Sequence, residues 1–88
     1  MKFITTESFE KAYSRMSNRH AKAVDKALRM MQDNLRYPSL RVRRVLGTKD
    51  IWEARAGLAI RITFKYLDED TIQLRNIGTH DQVFRSLY

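Results

Sequence analysis

The run Ile60-Arg61-Ile62-Thr63-Phe64-Lys65-Tyr66 constrains the fold more than any other stretch of the chain. Apolar and polar residues alternate, which puts Ile60, Ile62, Phe64 and Tyr66 on one strand face and Arg61, Thr63 and Lys65 on the other. Such a strand needs an apolar layer against one side only. Two earlier segments supply it. Phe9, Ala12, Tyr13 and Met16 recur at helical spacing, and so do Val24, Leu28, Met31 and Leu35. The spacing predicts that this helical pair and the strand bury one another.

The boundaries follow from local chemistry. Lys2 to Thr5 reads as a first strand with Phe3 inward, and Thr6 suits an N-cap with Glu7 in the first helical turn. Ser17 or Asn18 breaks and recaps the chain, so the two helices form a hairpin with a very short turn. Arg19, Lys22, Lys26 and Arg29 mark the solvated side of the second helix. Pro38 is expected to end the helical region, with Tyr37 extended before it. Beyond it, Leu40 and Val42 alternate with Arg41 and Arg43, and Gly47-Thr48-Lys49-Asp50 makes a turn. Ile51 to Ala56 is a strand with Trp52, Ala54 and Ala56 on one side and Ile51, Glu53 and Arg55 on the other. Gly57 and Asp68-Glu69-Asp70 mark reversals, the latter before a last strand from Thr71 to Ile77. The predicted architecture is α+β, one domain over residues 1–88. Its element order is β-α-α-β-β-β-β, with the helical hairpin on one face of a mostly antiparallel sheet. The opposite face is left open.

Charge gives that open face a meaning. The chain carries 17 Lys and Arg against 10 acidic residues, a net charge of +7. Arg36, Arg41, Arg43, Arg44, Lys49, Arg55 and Arg61 lie in one segment opposed only by Asp50 and Glu53, which is +5 of the total. A concentrated basic stripe is the footprint of a nucleic-acid binder or of a protein neutralised by an acidic partner. The chain has no cysteine, which removes disulfides and thiolate metal sites. No apolar run approaches the length of a bilayer span, and Met1-Lys2-Phe3-Ile4 is too short for a signal-peptide core. A cytoplasmic protein with no membrane attachment and no cofactor is the expectation.

Glu53, Arg55, Arg61, Thr63 and Lys65 are expected to project together from the open face. Arg55 and Arg61 suit a phosphodiester, because a guanidinium is always charged and binds two phosphate oxygens at once. Glu53 fits either a base or a surface ion pair with Arg55 or Arg61. His80 follows the last strand and is the acid–base candidate, since imidazole exchanges a proton near neutrality. Thr79-x-x-Gln82 equally fits a capping box opening a short terminal helix. Asp81 either orients the imidazole or serves that cap. Phe84 either stacks on a base or packs in the core beside Val83 and Leu87. Arg41, Arg43 and Lys49 extend the basic surface as substrate-binding candidates, while His20 and Lys65 read as surface residues.

Four segments carry a family resemblance: Pro38-Ser39-Leu40-Arg41-Val42-Arg43, Asp50-Ile51-Trp52-Glu53-Ala54-Arg55, Ile60-Arg61-Ile62-Thr63-Phe64 and Gly78-Thr79-His80-Asp81-x-Val83-Phe84. Together with the element order they resemble the RelE/ParE superfamily of bacterial and archaeal toxins. The ending is most similar to that of YafQ-like ribosome-dependent endoribonucleases. Carried over on matching positions, the resemblance implies that His80 takes part in cleavage. It also implies that Arg61 meets the scissile phosphate and that Arg55 stands where RelE has a catalytic lysine. Glu53 reverses the charge of another RelE lysine, His80 replaces an arginine, and Phe84 lies near a terminal tyrosine whose proton it cannot supply. The implied protein is a type II toxin that cleaves mRNA in the ribosomal A site through 2′-hydroxyl attack, without a metal. It would be monomeric alone and a hetero-oligomer with a cognate antitoxin. The alternatives are a ParE-like gyrase inhibitor and an inactive RNA- or antitoxin-binding module.

Overall fold

Strand β4 (Ile60–Asp68) is the spine around which the chain assembles. On its inward face Ile60, Ile62 and Phe64 are all buried, and each such side chain contributes about 1.5–3 kcal/mol on removal from water. The computed structural model describes residues 1–86 and 88. Before β4 come β1 (Lys2–Thr5), α1 (Glu7–Ser14), α2 (Asn18–Asp33), a 3-10 turn (Pro38–Leu40), β2 (Arg43–Arg44) and β3 (Trp52–Ala56). After it come β5 (Thr71–Gly78) and α3 (His80–Arg85). The five strands form one sheet in the order β1-β5-β4-β3-β2. The β1–β5 pairing is parallel and the other three are antiparallel.

The helices start where their caps dictate. Thr6 has an extended backbone, and its hydroxyl accepts from the Phe9 N–H at 3.1 Å while donating to the Arg75 carbonyl at 2.7 Å. One side chain thus caps α1 and fastens it to β5. Ser17 caps α2 by accepting from the His20 N–H. Three residues, Arg15 to Ser17, reverse the chain between the helices. The Tyr13 hydroxyl then ties them, donating to Asp25 Oδ1 at 2.7 Å. That bond also holds the Tyr13 phenol above its ordinary pKa. Val24, Ala27 and Met31 of α2 meet Ala54, Ala56, Ile62 and Phe64 in the core, with Leu28 and Leu35 half-buried at its margin.

Three expectations are corrected. Pro38 does not end the helical region: α2 stops five residues earlier at Asp33, and Pro38 opens the 3-10 turn. Proline suits that first position because its φ is already helical and its missing N–H has no partner to lose. The expected alternation through Leu40–Arg43 is broken by Arg41, which takes a left-handed backbone (φ 45°), so β2 shrinks to Arg43–Arg44. Tyr66 is not buried: it sits at the sheet margin, edge-on to Trp52 and Phe64.

The largest correction concerns the second sheet face, which is only partly open. The helix α3, absent from the predicted element order, folds back over it. Asn76 must point away from its core neighbour Ile77, and its side-chain amide donates to Ser86 Oγ at 2.7 Å. Arg75 Nε reaches the Tyr88 carbonyl at 3.3 Å. Val83 is fully buried beneath α3, outside the main core cluster. Glu53 and Thr63, expected to project together from an open face, are both buried, Glu53 against Arg43.

Candidate nucleic-acid interface and acid–base site

The antiparallel register lays two rows of side chains across the second face. In the first, Arg43 stands opposite Glu53, Glu53 opposite Thr63, and Thr63 opposite Asn76. In the second, Arg55 stands opposite Arg61, and Arg61 opposite Gly78. Side chains directly across an antiparallel pair are nearest neighbours, so the two arginines of the second row are held side by side.

Their field is mutually repulsive. The Arg61 guanidinium, partial desolvation, and then Arg41 and Arg43 all push the Arg55 guanidinium below its ordinary pKa, with Glu53 opposing them. Arg55 thus lies in the field of three other expected residues, Arg61, Arg41 and Arg43. Glu53 is the internal counter-charge: Oε1 accepts from Arg43 Nε at 2.9 Å and lies 4.0 Å from Arg61 Nε. The expected surface pair of Glu53 with Arg55 or Arg61 is instead a buried contact, made chiefly with Arg43. Arg61 is 12% exposed and donates from Nη1 to the Leu58 carbonyl at 3.3 Å. Leu58 itself stands in solvent at the β3–β4 turn beside them.

Lys49 is not part of this cluster. It lies in the β2–β3 connection, at the end of β3 away from Arg55. Lys65 is not merely solvated but pairs with Asp50 at 3.2 Å.

The Gly-Thr-His segment divides into scaffold and surface. Thr79 accepts from the Gln82 N–H at 3.2 Å, and Gln82 Oε1 accepts from the Thr79 N–H at 2.9 Å, a complete capping box. Gly78 makes room for it, since a Cβ there would come within 2.8 Å of Gln82 Oε1. Gly78, Thr79 and Gln82 are thus accounted for by folding. His80, at the first position of α3, is not: its side chain is 59% exposed. Asp81 Oδ1 lies 3.6 Å from His80 Nδ1, within ion-pair range of an imidazolium but too long for a hydrogen bond. Phe84 is half-buried and outside the core, its ring 4.4 Å from the His80 ring and 5.2 Å from that of Tyr88. The expected packing partner Leu87 lies outside the described residues. The cap positions His80 relative to the arginines, because Gly78 is both the register partner of Arg61 and two residues from His80. Cross-strand neighbours lie about 5 Å apart and two residues span at most about 7 Å, so the His80 and Arg61 backbones lie within about 12 Å of each other.

Sequence reasoning misses three contributors. Nothing in the sequence marks the burial of Glu53, the hold of Arg75 on the C-terminal carbonyl, or the exposure of Leu58 beside Arg61. All three depend on how separate elements meet in space: Arg43 over Glu53, Arg75 against Tyr88, and the β3–β4 turn beside Arg61.

Three helices on a mixed five-stranded sheet, with this topology, make the fold that RelE-like toxins share. No protein-family model matches the chain, and no curated protein matches it. Solved structures do. YafQ from E. coli strain BL21(DE3) superposes with a TM-score of 0.78 at 14% identity, over 94% of this chain and 97% of that one. The E. coli DinJ–YafQ toxin–antitoxin complex gives 0.78 at 15% identity, over 94% and 96%. The RelB–RelE antitoxin–toxin complex from Methanococcus jannaschii gives 0.72 at 17% identity, over 97% and 99%. At these identities the likeness is one of fold.

Proposed function

We propose that this protein is the toxin of a type II toxin–antitoxin pair, a metal-independent endoribonuclease that cuts mRNA on the ribosome. The observation that carries the reading is the second cross-strand row: Arg55 beside Arg61, and Gly78 next, leading into His80. In the proposed reaction the 2′-oxygen attacks phosphorus and the bond to the 5′-oxygen breaks, leaving a 2′,3′-cyclic phosphate and a 5′-hydroxyl. Arg61 and Arg55 stabilise the charge that builds on the phosphorane oxygens. His80 carries one of the two proton transfers, which its exposure permits. Glu53 is buried against Arg43, which argues against it as the base. Phe84, its ring tilted against that of His80, offers an aromatic surface to a neighbouring base.

An antitoxin partner fits the net charge of +7, which an acidic segment would neutralise. It also fits the fold shared with YafQ and RelE, each of which has been crystallised with a partner. Controlled expression in a bacterial cell tests the reading. Arrest of protein synthesis before DNA replication is expected, and co-expression of the adjacent gene should relieve it. Replication stopping first would favour a gyrase inhibitor instead.

A further inference from the structure

We infer that Glu53 is a positioning residue for Arg61, holding its guanidinium by charge so that its outer edge faces an incoming phosphate. The inference rests on the reading that Arg61 meets the scissile phosphate, and it begins from an anomaly. Glu53 is 1% exposed, yet only Oε1 is hydrogen-bonded. Among the described residues, neither Glu53 Oε2 nor Arg61 Nε has a hydrogen-bond partner. A buried carboxylate with an unsatisfied oxygen is costly, and an apolar residue of similar volume would fill the same space without that cost. Packing therefore does not explain a glutamate here.

The surrounding charges do. Arg43, Arg55 and Arg61 stand on the same sheet face around Glu53, and Arg41 adds to their field. Without an internal negative charge these guanidinia repel one another and swing apart into solvent. Glu53 draws Arg61 Nε to 4.0 Å of Oε1, while the Leu58 carbonyl holds Nη1 from the other side. Arg61 is thus held by one hydrogen bond and one charge contact before any ligand arrives, and such preorganisation makes a cation effective in a transition state. Arg43 is 64% exposed and closes over the carboxylate. Glu53 therefore acts through Arg61 and does not touch the reacting atoms.

Glu53→Gln tests this, because glutamine keeps the shape and an acceptor for Arg43 but removes the charge. With purified protein and programmed ribosomes, kcat is expected to fall roughly 10–100-fold, the scale of a misplaced group. KM should stay level or drop, since the basic face has lost its one internal negative charge. In ¹⁵N NMR of the free protein, the Arg61 Nε–H resonance should be sharp in wild type and broadened in the variant. Unchanged kcat with an unchanged resonance would overturn the inference, as would loss of kcat and RNA binding together at a lowered Tm. If the Gln variant does not fold, Glu53→Met is read in the same way. The NMR measurement needs no substrate. A wild type that cuts no mRNA would end the nuclease reading and the phosphate-facing role with it, while an ordered Arg61 that depends on Glu53 would still uphold the hold of Glu53 on Arg61.

Discussion

At the scale of single residues, the C-terminal motif separates cleanly into what folding needs and what it does not. Gly78, Thr79 and Gln82 build the cap, and His80 and Phe84 are left facing outward. Phe84 shows why the sequence leaves two readings open. An aromatic beside Val83 in a short helix fits core packing, and only the turn of α3 decides that Val83 is buried and Phe84 half-exposed. We expect Phe84→Ala to weaken binding of single-stranded RNA by about 1–3 kcal/mol, the scale of one base–aromatic stack. Fluorescence titration with a short oligonucleotide measures this, and unchanged affinity would show that Phe84 only supports the His80 ring. Glu53 is the least legible residue. Alternation assigns it correctly to the arginine face, but the pattern of one strand does not reveal what later covers it.

At the scale of elements, what is legible is what local physics controls. The caps at Thr6 and Ser17, the inward face of β4 from Ile60 to Phe64, the reversal at Gly57 and the stripe of α2 all appear where the residues place them. The failures lie where tertiary packing overrides local pattern. Pro38 reads as a stop and serves as a start, and Arg41 leaves the extended region just where alternation predicts a strand. The helix α3 is spelled by its capping box yet missing from the predicted architecture, because six residues are too few to show an apolar period. Its dependence on that box is testable. Thr79→Ala should cost about 1 kcal/mol of stability, the usual value of an N-cap hydroxyl. Chemical denaturation measures the loss, and hydrogen exchange should place the extra opening at residues 80–85. Opening spread evenly over the molecule would mean that α3 is held by Val83 and the Arg75 tether instead.

At the scale of the whole molecule, the fold is an asymmetric sandwich: two helices seal one sheet face, and a short third helix covers part of the other. The accessible part of that second face carries basic side chains, with Arg43 and Arg61 against one buried carboxylate and Arg55 beside them. The concentration of charge is legible in the sequence. Its convergence on two cross-strand rows is not, because register between distant strands is not written in either strand. Arg41 and Arg43 lie at the rim of this surface. Changing both to Gln should flatten the dependence of RNA affinity on salt. The log–log slope should drop by about 0.9 for each phosphate no longer neutralised on duplex-like RNA, and by about 0.7 on single strands. An unchanged slope would mark the rim as solvated and idle.

The central claim is that Arg61 and His80 together act on one phosphodiester. The most direct measurement is cleavage of a defined mRNA on programmed ribosomes by purified wild type, Arg61→Ala and His80→Ala, each first shown to melt like the parent. The account predicts that wild type cuts and leaves a 2′,3′-cyclic phosphate, and that His80→Ala loses about 10²–10⁴-fold, as for a positioned acid or base. Arg61→Ala should lose a comparable factor through transition-state charge. A His80→Ala variant that cuts as fast as wild type would contradict it, and would leave the Gly-Thr-His segment as a helix cap alone.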